Sequence, residues 1–301
     1  MPMTKPQLQA LPASSASTKR KTMPGEDDDG ESSGSDGDSD SSIVNVDFDF
    51  YNLNLDVDQI ATKRLLRQTL SHDEELIDVH PLASLILSEG VRLSAGSSIK
   101  TDGEESDPWG IIAVIDVARN RDNPAFRPFL DYLTSTLPPK SPIRTYLEVS
   151  PSNAIHTPAV IFSLRLLNLP LPLIPPMYKM LLTELKQDES PKFSHWLLWG
   201  RGYRLEGSEK GMGLQLDTAV QSKKKRKKAA QEVISLPSGS FPYHPEEEFI
   251  DKIATHIHTF PFKSAPKRDE ESFGVEQFGR LVLIERDRLP LAIESMEAAC
   301  Q

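Results

Sequence analysis

The residue types that do chemistry are sparse in this chain and poorly spaced for it. His256 and His258 stand two apart, which would put both rings on one face of a strand but on different faces of a helix. No acid or cysteine joins them at ligand spacing, so the pair does not make a metal site. His72, His80, His156, His195 and His244 are scattered. Ser238 and Ser240 lie in "PSGSF", without the G-x-S-x-G turn that lifts a serine nucleophile above a sheet. No glycine-rich loop ends in Lys-Ser or Lys-Thr, so a nucleotide-phosphate loop is absent as well.

One stretch approaches a chemical motif. A glycine loop after a strand can cradle a pyrophosphate with its backbone N–H groups. N-acetyltransferases of the GNAT superfamily hold acetyl-coenzyme A in this way, with a pattern like R/Q-x-x-G-x-G/A. The chain offers Arg204-x-x-Gly207-x-Glu209 and Ser208-x-x-Gly211-x-Gly213. In the first, Glu209 would set a carboxylate against the pyrophosphate. In the second, Ser208 replaces the long polar residue. An acetyltransferase is therefore kept as the enzymatic alternative, against a glycine-rich loop that leads into the segment beyond it.

That segment, "SKKKRKKAAQ", holds Lys223, Lys224, Lys225, Arg226, Lys227 and Lys228 in one block with no aromatic between them. Binding a nucleic acid needs cations spread along a surface to meet successive phosphates, usually with stacking side chains among them. Taking the six away lowers the formal charge from −10 to −16, a field that repels a phosphate backbone. A bunched lysine run on an otherwise acidic protein fits a nuclear localisation signal read by an import receptor. No direct contact with nucleic acid is expected.

The elements that must carry these residues begin after a tail. Residues 1–42 hold four cations against eight acids, and Glu26 to Ser42 has no apolar side chain to repay the entropy of ordering it. The composition predicts a disordered acidic tail. Ser33 and Ser35 each have an acid three residues later and are candidate phosphosites for an acidophilic kinase. Cys300 is the only cysteine, so neither a disulfide nor a cysteine-built zinc site holds the fold. No run of about eighteen apolar residues spans a bilayer. A soluble intracellular protein with no membrane partner is expected.

From residue 43 strands and helices alternate. Val44, Val46, Phe48 and Phe50 alternate with Asn45, Asp47 and Asp49, a strand with one buried face and one acidic wet face. Asp56, with Gln59 three residues on, predicts an N-cap for the helix "DQIATKRLLRQTL". A second helix follows Pro81 and stops at Gly90. "DPWGIIAVIDV" reads as a central strand, "FRPFLDYLTSTL" as a helix and "AVIFSLRLLNL" as a strand. Pro175 and Pro176 open a helix with a stripe of Met177, Leu181, Leu182 and Leu185. An aromatic strand "FSHWLLWGRGYRLEG", a helix "EEEFIDKIATHI", a strand "GRLVLIERD" and a closing helix "LPLAIESMEAA" complete the order. The pattern predicts one α/β domain over 43–301, a central mixed sheet flanked by helices, with a flexible basic insert near 207–235.

In that order, "VNVDFDFYNL", "WGIIAVIDV", "LPLIPPMYKMLLTEL", the aromatic strand, the lysine insert and "EEEFIDKIA" resemble the BCCIP/BCP family over roughly residues 43–290. The resemblance implies a GNAT-like fold without a working cofactor loop, no catalytic residues and no cofactor. It also implies a nuclear protein that shuttles to the cytoplasm and escorts clients. Fungal members are tied to nuclear export of a phosphatidylinositol phosphate kinase, hence to actin cytoskeleton organisation and vesicular transport, and to chaperoning a large-subunit ribosomal protein in ribosome biogenesis. Animal relatives bind cell-cycle and DNA-repair factors.

Charge agrees with a client of opposite sign. Outside the tail and insert, 24 cations face 36 acids, a balance that attracts basic proteins. Asp47 and Asp49, and the cluster Glu246, Glu247 and Glu248, are the candidate client-binding acids. The leading expectation is a non-enzymatic chaperone and adaptor for basic clients. The alternatives are an acetyltransferase, or a scaffold for cell-cycle and repair factors.

Overall fold

The protein is described from a computed structural model covering residues 46–149, 156–186, 191–205, 239–266 and 274–300. The predicted tail, both candidate phosphosites, the glycine loop beyond Leu205 and the basic run lie outside the described residues.

Strict alternation inside apolar strands explains the architecture. In β3 (Gly110–Asp116) Ile111, Ala113 and Ile115 enter one core while Ile112 and Val114 enter another. β4 (Pro158–Arg165) repeats the division with Val160 and Phe162 against Ala159 and Ile161. Both faces are thus apolar, and both need helices to cover them. On the first lie α1 (Leu55–Leu70), α2 (Val79–Leu93), α4 (Arg127–Thr136) and α5 (Pro142–Leu147). On the second lie α6 (Ile174–Glu184), α7 (Glu247–Ile253) and α8 (Leu289–Ala299). The short α3 (Val117–Asn120) continues directly from β3, capped by Asp116.

Among the described residues the sheet has eight strands, adding β1 (Asp49–Asn52), β2 (Gly96–Lys100), β5 (His195–Leu205), β6 (Ser240–Pro242), β7 (His256–Pro261) and β8 (Val275–Glu285). The order is β1-β2-β3-β4-β5-β8-β7, with β6 pairing β5. Neighbours are antiparallel except β4 and β5, which run parallel. The expected mixed sheet flanked by helices is therefore present.

Several local expectations change. The first strand is shorter than predicted, and Val46 is exposed rather than buried. Asn54, not Asp56, caps α1: its side chain accepts from the Asp56 and Val57 N–H groups at 2.9 and 3.4 Å. α2 runs through Gly90 to Leu93 and ends at Ser94; a Cβ at 90 would lie 2.4 Å from the Leu53 side chain, so this glycine serves close packing rather than a helix stop. The helix expected through Ile257 ends at Ile253, and His256 begins a strand instead. β2, sequence GSSIK, escaped prediction altogether.

Candidate functional site

Two places gather charge in ways the alternation of elements alone does not require. The first is the sheet edge at β1. Phe50 points into the core and Phe48 packs edge-on against Trp109, with centroids 5.5 Å apart, so Asp47, Asp49 and Tyr51 share the opposite face. Burial, then Asp49 and then Glu104, push the Tyr51 hydroxyl up in pKa. The Lys100 ammonium, 5.9 Å from the Tyr51 ring centroid, donates to the Glu104 carbonyl at 2.5 Å and so brings the β2–β3 loop beside this face. That loop exposes Asp102, Glu104, Glu105 and Asp107. Asp107 is the one of these acids with a cationic partner among the described residues, an exposed contact of 3.3 Å to Arg64. Lys100, on the adjacent strand, is wholly buried and committed to Asp58.

The second place is a fork inside the sheet. β4 and β5 pair only from Pro158↔His195 to Ile161↔Leu198 and then diverge. β6 takes up the freed edge of β5, from Gly202↔Pro242 to Arg204↔Ser240. Its approach requires Gly202, where a Cβ would meet the Phe241 carbonyl at 2.7 Å and the Phe278 ring at 2.5 Å. The chain leaving β6 sets Tyr243 and His244 into the open end, and the Tyr243 N–H donates to the Arg201 carbonyl at 3.0 Å. A cavity of about 220 Å³ remains between the diverging strands.

Three arginines surround His244. Burial first, then Arg165, Arg201 and Arg280, push its pKa down to about 2, so the ring stays neutral. Arg165 lies buried against Glu246 and within 3.3 Å of Glu247. Arg280 pairs with Asp251 and lies 3.5 Å from Glu247. Arg201 stacks on the Tyr243 ring, its guanidinium carbon 3.5 Å from the centroid.

This corrects one expectation. Glu246 and Glu247 are not client-facing acids: Glu246 is buried, and Glu247 is held between two guanidiniums. Glu247 and Asp251 sit four apart, on the face of α7 that Ile250 also uses, so the acids that looked like a surface cluster pin the helix to the sheet. Burial raises the pKa of both Glu247 and Asp251. Glu248 alone of the three is exposed. Asp47 is exposed and Asp49 partly so, and both lie on the acidic edge.

The remaining expected residues disperse. His258 donates from Nε2 to the Thr136 carbonyl at 2.9 Å. Ser240 accepts from Arg204 Nε at 3.1 Å, and Arg204 also meets Glu276 at 3.2 Å, so the arginine that opened the coenzyme-like pattern ties β5 to its neighbours. No group of three or more His, Cys, Asp or Glu among the described residues could hold a metal. His156 and His195, scattered in sequence, converge on Tyr146 with centroids 4.8 and 4.5 Å from its ring. Sequence reasoning also missed Arg165, Arg201 and Arg280, though a cation inside an apolar strand, as in "AVIFSLR" and "GRLVLIE", was the available signal.

Comparison with known proteins agrees with the architecture. The family model described as BCCIP matches residues 43–250. "Protein bcp1" of Aspergillus oryzae is 32% identical over 260 residues, covering 81% of this chain and 84% of that protein. "Protein bcp1" of Schizosaccharomyces pombe is 32% identical over 241 residues, covering 76% and 80%. The crystal structure of BCP1 from Saccharomyces cerevisiae superposes with a TM-score of 0.59 at 22% identity over 87% of this chain and 92% of that one, a likeness of fold.

Proposed function

The chain belongs to the BCCIP family, and from that premise we propose that it is a non-enzymatic nuclear chaperone and transport adaptor for basic client proteins. The names its relatives carry are not those of enzymes. The client with the best claim is a basic ribosomal protein of the large subunit, with a phosphatidylinositol phosphate kinase or cell-cycle factors as further cargo, carried between nucleus and cytoplasm.

The observation that carries this reading is the edge formed by Asp47, Asp49, Asp102, Glu104, Glu105 and Asp107. These acids lie on and beside an edge strand, and among the described residues one of them, Asp107, has a cationic partner. A dense, largely unpaired negative field steers and screens a cationic partner. The half-buried Tyr51 ring lies among these acids and already meets one cation, the Lys100 ammonium 5.9 Å from its centroid.

The test is binding of a purified basic large-subunit ribosomal protein to the full chain across a salt series. Charge reversal of Asp47, Asp49 and Glu104 to lysine should weaken binding at least tenfold at low salt, while Glu294→Lys on exposed α8 surface leaves it nearly unchanged. Binding that ignores both salt and the triple reversal overturns the role of this edge. Calorimetry with acetyl-coenzyme A separates the acetyltransferase alternative: micromolar binding would revive it.

A further inference from the structure

We propose that the fork between β4 and β5 is a binding site for a small oxyanion of the phosphate class, with Arg201 as its principal ligand. This goes beyond the client reading and does not depend on it.

Arg165 and Arg201 line the cavity in the fork and Arg280 lies behind Glu247, and the three are not equivalent. Arg165 and Arg280 are spoken for by Glu246, Glu247 and Asp251. Arg201 has no carboxylate within ion-pair distance among the described residues; its described partner is the Tyr243 ring. It is partly buried, and burial lowers its pKa, so the cation has lost water without gaining a counter-charge. A desolvated cation left unpaired is costly, and a planar guanidinium presents a fork of donors that matches an oxyanion.

The rest of the lining suits such a guest. Gln68, Thr69 and Asn168 bring neutral polar groups, and His244 is held uncharged, so its imidazole can donate a hydrogen bond without adding a titrating charge. Glu247 is the one carboxylate among the lining residues, and both of its oxygens already face arginines. Stacking on Tyr243 fixes the plane of Arg201 before any ligand arrives.

Size narrows the class. At roughly 30 Å³ per water, 220 Å³ holds about seven waters. That room takes a phosphate group with a short organic residue and is below the range usual for drug-sized ligands. The ligand is therefore inorganic phosphate or a small phosphomonoester.

The experiment is calorimetry on the full chain with sodium phosphate, phenyl phosphate and, at matched ionic strength, sodium chloride. Saturable binding of either phosphate, absent for chloride, is expected. Arg201→Gln should weaken it at least tenfold and Arg201→Lys by less, while Arg204→Gln, which removes the same charge three residues along the strand, leaves it intact. Tighter binding of phenyl phosphate identifies an ester, and tighter inorganic phosphate the free ion. Heats that never saturate, that chloride reproduces, or that Arg201→Gln leaves unchanged overturn the proposal. Should Arg201→Gln fail to fold, the wild-type His244 ring resonances decide: phosphate must shift them and chloride must not.

Discussion

Lys100 and Asp58 form an ion pair of 2.7 Å in which neither side chain reaches solvent. Asp58 also accepts from the Asn54 N–H at 2.9 Å, so one carboxylate ties the start of α1 to the end of β2. Removing one partner strands the other charge in the core. Asp58→Ala is expected to cost about 3–5 kcal/mol in urea unfolding. The double replacement Asp58→Leu with Lys100→Met should recover much of that loss, because it leaves no buried charge behind. A double variant no better than the single one would show that the pair itself supplies stability.

His244 predicts an acid-side loss of stability. Its folded pKa, near 2, lies far below the unfolded value of about 6.5, so below that value the unfolded chain binds a proton the folded chain refuses. This contribution is fully present above pH 6.5 and falls as the pH drops, by about 1.4 kcal/mol per unit. Glu247 and Asp251 act in the opposite sense, since burial raises their pKa and stability falls as pH rises through the window between their unfolded and folded values. His244→Gln isolates the histidine. Between pH 6.5 and 4.5 the wild type should lose stability more steeply than the variant, measured by denaturant titration at each pH.

Gly96 opens β2 with φ +126°, and a Cβ there would lie 2.6 Å from the Ile112 carbonyl oxygen. Both the conformation and the backbone contact oppose a side chain. Gly96→Ala should destabilise by about 2 kcal/mol or more, a fall of roughly 4–8 °C in Tm for a domain of this size. Gly103→Ala is the comparison: its φ is also positive, at +87°, but nothing lies within 4 Å of the added Cβ, so its loss should be smaller.

The import expectation for Lys223 to Lys228 is tested by changing all six to alanine and imaging the tagged protein. Nuclear accumulation should fall several-fold. The same change combined with Lys19, Arg20 and Lys21 to alanine removes the weaker cluster, and unchanged accumulation in that variant retires the idea.

Legibility varied with how local the cause was. β3, α4, α6 and the closing helix Leu289–Ala299 were readable because each carries its own apolar period, set by the pitch of a helix or the pleat of a strand. β2 was not. Ser97 and Ser98 are buried only because β1 and β3 flank them and helices cover both faces, which no window of five residues contains. The same held for Glu246 and Glu247: three successive acids look like solvated surface until Arg165, about eighty residues earlier, is found beneath them.

The sequence by itself determined the class of fold, the order of most elements, the acidic body with its bunched cations and the family, since these follow from composition and from periods shorter than a single element. Tertiary structure alone decided which charges meet. It turned two presumed surface acids inward, gathered Asp47, Asp49 and Glu104 on one edge, and set Arg201 in a fork between strands with no carboxylate partner among the described residues. The physical reason is range. Burial and hydrogen bonding along a segment are fixed by near neighbours, whereas desolvation and Coulomb pairing depend on distances in space that only the assembled sheet sets.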